Sequence, residues 1–271
     1  MKIYYIDSFT DQPFKGNPAA VVLLDKELSD NLMQKIAQEI GFSETAFLIK
    51  QDKDIYGLRW FTPTTEVSLC GHATLASAKV FFTFLAANLN SVKFITKYGI
   101  LVCSQEGDKI KMTFPKDRLI QIDKYDEIKE FFAFGIKRNI LFSEVNHYLC
   151  LFVADELNIS SFMIESHGII ELSKILPEIR GLVISNQHAG LVRMRFFDPW
   201  EGIPEDPVTG SAGLVVSEYW FNKLDKDSIE IEQMSARGGK MEIRNEEAYV
   251  SILGLATIIL EGTLMAGNYG E

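Results

Sequence analysis

The sequence predicts an α+β protein of two similar halves, each a curved sheet wrapped around one apolar helix. Three observations predict it. The string Arg59-Trp60-Phe61-Thr62-Pro63 returns as Arg195-Phe196-Phe197-Asp198-Pro199, and Gly71-His72-Ala73-Thr74-Leu75 returns as Gly210-Ser211-Ala212-Gly213-Leu214. The order is the same, and the second copy carries three extra residues in its loop. Third, the stretches after the two glycines are apolar on nearly every face, with Lys79 the only charge in 73–89 and Glu218 the only charge in 212–221. A helix without a polar face must be enclosed by protein.

Each copy has the same grammar. An apolar strand ends at a proline, which cannot donate to a ladder. A loop follows, and a glycine opens the helix. Before the first copy, Leu28, Leu32, Ile36 and Ile40 fall at helical spacing, with Ser29 placed to cap the start and Gly41 the end. Strands are expected at 42–49, 56–62, 92–103 and 109–114. The charged stretch from Pro115 to Glu130 reads as the linker. It divides the chain into an N-terminal half, 1–115, with Glu44 and Gly71-His72, and a C-terminal half, 116–271, with Asp206 and Gly210-Ser211. The second half is expected to run through strands at 139–143 and 147–153, a helical region at 170–178 and strands at 180–186 and 191–198. The buried helix and strands at 239–245 and 247–261 complete it.

The totals suit such a protein. Its 271 residues, 47% hydrophobic and 24% charged, are enough for two cores. The net charge of −10 and the absence of any basic stripe exclude a nucleic-acid groove. Three widely spaced cysteines, Cys70, Cys103 and Cys150, give no disulfide framework. Met1 opens directly onto a strand-like stretch without a signal-peptide pattern, so a cytoplasmic setting is expected. The run 73–89 is marginal in length for a bilayer and reads as a core helix, so no membrane association is expected.

Four segments could carry chemistry. In Gly41-Phe42-Ser43-Glu44-Thr45-Ala46-Phe47-Leu48, a strand places Glu44 on one face with Phe42, Ala46 and Leu48. Lost hydration would raise its pKa and let it carry a proton near neutrality; the plainer reading is an edge or capping carboxylate. In Leu69-Cys70-Gly71-His72, the free N–H groups of a helix start could hold an anion, and His72 could donate or relay a proton or simply cap. In Glu205-Asp206-Pro207-Val208-Thr209-Gly210-Ser211, a second helix start carries the Ser211 hydroxyl near Asp206, with Thr209 a natural N-cap. Phe14-Lys15-Gly16-Asn17-Pro18, alone, is a turn. His72, His147, His167 and His188 show no paired spacing with other ligands, so no metal is expected. Phosphate-loop, dinucleotide and nucleophile-elbow patterns are missing. Cys103 and Cys150 lie in apolar strands and read as packing residues.

Five segments together resemble the phenazine-biosynthesis PhzF-like family, relatives of diaminopimelate epimerase. They are Tyr5-Ile6-Asp7-Ser8-Phe9-Thr10, Gly16-Asn17-Pro18-Ala19-Ala20, Ser43-Glu44-Thr45-Ala46-Phe47, Cys70-Gly71-His72-Ala73-Thr74 and Glu205–Ala212, in the family's order along most of the chain. The resemblance implies an α/β roll: two pseudo-symmetric domains, each a barrel-like, mostly antiparallel sheet around a central helix, with the site in the cleft. It implies a metal-free, cofactor-independent isomerase and a homodimer acting on a small anionic metabolite. Glu44 would shuttle the proton, His72, Asp206 and Ser211 would hold or orient the substrate, and Gly71 and Gly210 would supply backbone donors. Two alternatives stay open. One is a thiol-based epimerase or racemase using Cys70, although no second cysteine precedes Gly210; the other is a non-catalytic ligand-binding homodimer.

Overall fold

A computed structural model describes residues 1–132 and 139–265. The chain divides into two units, Met1–Thr113 with the chain from Leu253 onward, and Phe114–Ile252.

The first unit holds β1 (Lys2–Ser8), β2 (Asn17–Leu24), α1 (Asp30–Ile40), β3 (Glu44–Lys50), β4 (Ile55–Phe61), the short β5 (Glu66–Val67), α2 (Gly71–Val80), β6 (Ser91–Ile95), β7 (Ile100–Glu106) and β8 (Lys109–Pro115). The second holds β9 (Leu119–Gln121), α3 (Tyr125–Phe131), β10 (Asn139–Ser143), β11 (Tyr148–Phe152), the one-turn α4 (Ser166–Ile169), β12 (Gly181–His188), β13 (Leu191–Phe197), α5 (Gly210–Leu224), β14 (Ser228–Gln233), β15 (Gly239–Asn245) and β16 (Tyr249–Gly254). The final β17 (Ala256–Thr263) pairs antiparallel with β1.

Strand pairing runs in the same sequence and sense in both units. In the first it is β17-β1-β2 antiparallel, β2-β3 parallel, β3-β4 antiparallel, β4-β6 parallel and β6-β7 antiparallel. In the second it is β9-β10-β11 antiparallel, β11-β12 parallel, β12-β13 antiparallel, β13-β14 parallel and β14-β15 antiparallel. Each parallel step needs a crossover, and these crossovers carry α1, α2, α4 and α5.

The inner helices are the two apolar ones. α2 packs on β1, β2, β3 and β17, and buries His72 through Ala78. α5 packs on β9, β12, β13, β14 and β15, and buries Val215, Val216, Trp220 and Phe221. The outer faces differ. In the first unit, Met33, Ile36 and Ala37 of α1 cover Ile3, Val22, Phe47 and Phe61. In the second, Ile128 of α3 joins Ile169, Leu172 and Leu176 over Leu149, Leu151, Leu182 and Phe197. The caps on α1 match expectation: Ser29 accepts from the Leu32 N–H, and Gly41 adopts the left-handed conformation. No helix among the described residues is long and apolar enough to cross a membrane.

Several expectations need correction. The expected linker is mostly structured: β9 and nearly all of α3 fall within 115–130, and Ile120, Ile122 and Tyr125 pack into the second core. Asp117 anchors its start by accepting from the Val145 and Asn146 N–H groups, and the sparse apolar content hid this. The expected second half, 116–271, loses its last strand, because β17 supplies the edge next to β1. The run 73–89 stops being helical at Leu85, after a π-helical turn over Phe81–Leu85. Stretches 92–103 and 247–261 each break into two strands, and β14 was not anticipated.

Candidate active site

Glu44 opens β3, where the ladder sets it opposite Ala19 of β2. His72 is the second residue of α2 and is buried. The two side chains meet, with Glu44 Oε2 3.1 Å from His72 Nε2. The approach is ionic rather than aligned, and this carboxylate oxygen accepts no hydrogen bond of good geometry.

Neighbours fix the imidazole. Ser43 Oγ lies 3.4 Å from Nε2, and Asn17 Nδ2 lies 3.3 Å from Nδ1. With the ring neutral, an Nδ1 that accepts from Asn17 leaves the proton on Nε2, facing Glu44. Ser8 Oγ donates to the His72 carbonyl at 2.7 Å, which holds the backbone. The Cys70 Sγ is 3.5 Å from Nδ1.

The sequence around Asn17 explains its place. Gly16 sits at φ +64°, and a Cβ there would meet the Ser8 carbonyl oxygen at 2.1 Å. Only glycine allows that approach. The Asp7 carboxylate accepts from the Phe14 N–H at 2.7 Å and ties down the same loop. The segment that alone reads as a turn therefore carries a residue that touches His72; its only sequence signal was its company among the five family-like segments.

Electrostatics push the pair apart in pKa. Burial raises Glu44, but the charge of His72 and the polar groups of His72, Ser43 and Cys70 beside it outweigh this and hold the carboxyl below its ordinary value. The expectation of a raised Glu44 is thus corrected: desolvation acts, and the imidazole beside it wins. Burial lowers His72, yet Cys70 and the Glu44 carboxylate beside it overcome this, through charge and hydrogen bonding, and hold it well above its ordinary value. Burial and Glu44 push the Cys70 thiol up. The two groups are thus driven in opposite directions, which favours a carboxylate beside an imidazolium.

The second unit builds its own polar cluster at the start of α5. Ser211 Oγ lies 3.0 Å from the Tyr148 hydroxyl, and burial raises that phenol to about 12. Asp206 is buried and accepts from the Thr209 hydroxyl. Thr209 occupies the N-cap position without capping, because its hydroxyl turns back to Asp206. Cys70 likewise makes no side-chain cap on α2. Gln233 locks the Asp206 loop, donating to the Asp206 carbonyl at 2.7 Å and accepting from the Thr209 N–H at 2.8 Å. Both helices thus begin without a side-chain cap, which leaves first-turn donors and the positive end of the dipole for an anion.

The structure therefore brings Glu44, His72 and Gly71 into one cluster, and Asp206, Gly210 and Ser211 into another. Tyr148, Asn17, Ser43 and Gln233 escaped sequence reasoning, since none stands in a pattern that spacing reveals. The grouping of His72 with Cys70 and Glu44 also escaped it: the three offer ligand atoms within 4.8 Å of one another. Cys103 and Cys150 are fully buried, and burial pushes both thiols up, as befits packing residues. Two surface clefts, one along Leu191, Leu224 and Ile229, the other along Met33, Phe47 and Leu58, contain none of the site residues.

Two units of one strand order, each with an apolar inner helix, give the diaminopimelate epimerase-like α+β fold. Residues 6–262 match the model of the family described as phenazine biosynthesis-like protein, and the chain belongs to that family. A phenazine biosynthesis-like domain-containing protein of Bos taurus is 35% identical over 98% of this chain and 99% of its own. A Pseudomonas aeruginosa protein named an uncharacterized isomerase is 40% identical over 97% of this chain and 98% of its own. A crystal structure of a putative PhzC/PhzF protein from Clostridium difficile superposes with a TM-score of 0.86 at 34% identity, covering 97% of this chain and 99% of the other.

Proposed function

We propose that this protein is an isomerase that moves a proton on a small carboxylate-bearing substrate, with Glu44 as the shuttle. The observation that carries the reading is the buried Glu44–His72 pair, whose partners sit 3.1 Å apart and are shifted in opposite directions. Relatives named as isomerases support the reaction class.

In this reading Glu44 begins ionised and removes a proton from an acidic carbon. His72, protonated, steadies the carboxylate and the charge that grows on the substrate. Glu44 then returns the proton at another carbon. Removal of a positioned acid–base group costs about 10²–10⁴-fold in rate. The donors that open α2 at Gly71 suit an anionic group of the substrate, and the start of α5 at Gly210, with Ser211 and Asp206 beside it, offers donors of the same kind. The proton passes between carbon and side chain, so the chemistry calls for no cofactor. Homodimerisation belongs to the same proposal, and light scattering on the purified chain checks it.

The test is hydrogen exchange. A panel of small carboxylates with acidic C–H bonds is incubated with the protein in D₂O and read by mass spectrometry. At least one member should gain deuterium or shift its double bond. Glu44→Gln should slow this by about 10²–10⁴-fold while the circular dichroism spectrum is kept; exchange at the wild-type rate overturns the assignment. The thiol alternative is separated in the same assay, because Cys70→Ser would abolish exchange only if the sulfur were the base. A thiol pushed up by burial and by Glu44 is poorly suited to that role.

A further inference from the structure

Cys70, His72 and Glu44 form a three-donor cluster that chain spacing conceals and that proton transfer does not use in full. Cys70 is the unused member. It precedes α2, is buried, and aims its sulfur at the imidazole: Sγ is 3.5 Å from Nδ1 and 4.0 Å from Nε2. Glu44 Oε2 stands 3.1 Å from the same Nε2, without an aligned donor.

We infer that this cluster is a binding site for a soft divalent cation, zinc above all, held by Cys70 Sγ, His72 Nε2 and Glu44 Oε2 with a fourth position open. The distances suit it. Four-coordinate zinc with bonds of about 2.0–2.3 Å spaces neighbouring donors about 3.4–3.6 Å apart. The observed separations of 3.1 and 4.0 Å bracket that range, and all three donor atoms lie within 4.8 Å of one another, so side-chain rotation can bring them onto one ion.

The donor types select the ion. Thiolate and imidazole favour zinc over magnesium or calcium, which seek oxygen. On binding, the sulfur–metal bond forms as the thiol proton leaves to solvent. Thiolate and carboxylate then balance the two charges of the cation, and the imidazole binds as the neutral ring. Its Nδ1 carries the remaining proton, and a half-turn of the Asn17 amide places the carbonyl oxygen to accept it. That is the outer partner which metal-bound histidines require.

The inference does not rest on isomerase activity. If that activity is present, a bound cation occupies the Glu44 lone pair and stops the proton shuttle. Zinc would then act as an inhibitor at the site, not as a catalyst.

The test is a cobalt(II) chloride titration of the metal-stripped chain, followed by absorption. At one equivalent it should give a near-ultraviolet thiolate-to-cobalt band with the intense visible bands of a four-coordinate ion, and zinc chloride should bleach both. Cys70→Ser should remove the near-ultraviolet band, and Glu44→Gln should weaken binding about tenfold or more. Joint replacement of Cys103 and Cys150 by Ser should leave the spectrum unchanged. Independently of any variant, X-ray absorption on the zinc-loaded wild type should show one sulfur neighbour at about 2.3 Å among lighter donors. A zinc shell without sulfur, or a near-ultraviolet band that persists in Cys70→Ser, overturns the site. Metal binding in a protein that exchanges no substrate proton would defeat the isomerase reading alone. Exchange unaffected by zinc, with no sulfur neighbour, would defeat the metal site alone.

Discussion

The two units repeat one strand order, yet they place opposite chemistry at matching positions. Phe61 and Phe197 end the matching strands β4 and β13, and each pairs with the neighbouring strand, Phe61 with Thr45 and Phe197 with Leu182. One residue earlier, Glu44 in the first unit corresponds to Gly181 in the second. Across the parallel step Glu44 faces Ala19, whereas Gly181 faces Tyr148. The large polar group thus comes from one strand in the first unit and from its neighbour in the second. Steric exclusion explains the exchange. A Cβ at Gly181 would come within 2.6 Å of the Phe196 ring and 2.8 Å of Tyr148. Tyr148 can reach Ser211, the counterpart of His72, because residue 181 has no side chain.

The repeated arginines diverge in the same manner. Arg59 donates to Glu66 at 2.7 and 2.8 Å and meets Asp30 at 2.8 Å, with its side chain 30% exposed. Arg195 grips Glu205 at 2.7 and 2.9 Å but also donates to the carbonyls of Ile159 and Phe162, and its side chain is 10% exposed. Both stack over the phenylalanine two residues on, at 5.2 and 4.8 Å. Duplication kept the joint, while the surroundings decided how much it carries.

The comparison can be broken at graded strength. The largest effect belongs to Glu44→Gln, for which proton exchange should fall by about 10²–10⁴-fold, measured by deuterium uptake. Tyr148→Phe, its counterpart in the second unit, should leave exchange detectable. Next comes the arginine pair. Arg195→Met should lower the urea-unfolding free energy by about 3–5 kcal/mol, since it strands a carboxylate and two carbonyls. Arg59→Met should cost about 1 kcal/mol, as exposed pairs do. Equal losses would show that the two joints are equivalent after all.

Gly181→Ala should destabilise by about 1–3 kcal/mol through the crowded rings, whereas overpacking is absent from the same test at Gly71, where a Cβ meets nothing within 4 Å. Tyr148→Phe should cost about 0.5–1.5 kcal/mol for the lost Ser211 hydrogen bond.

The smallest expected signal is the pH dependence of the Glu44–His72 pair. A carboxyl held below 4.5 stabilises the fold above that pH, and the contribution is lost as pH falls through its lower folded value. An imidazole held above 6.5 stabilises fully below that pH, and the contribution is lost as pH rises through its higher folded value. The pair therefore contributes most between 4.5 and 6.5. The stability gap between wild type and Glu44→Gln should narrow toward alkaline pH in urea titrations, and a gap that widens there would refute the assignment.

By itself the sequence determined the duplicated plan, because burial leaves a local mark. Two helices without a polar face, prolines that close strands and glycines that open helices are properties of neighbours along the chain. Glu44, His72, Asp206 and Ser211 were legible because they stand beside those marks. What only the tertiary structure decided was which side chains meet. Residues 17, 44 and 70–72 are joined by ladder register and by the approach that Gly16 permits, and residues 148, 181 and 211 by the room that a missing Cβ provides. The direction of the Glu44 shift belongs to the same class: burial could be guessed from apolar neighbours in sequence, but the imidazole that overrides it arrives through space.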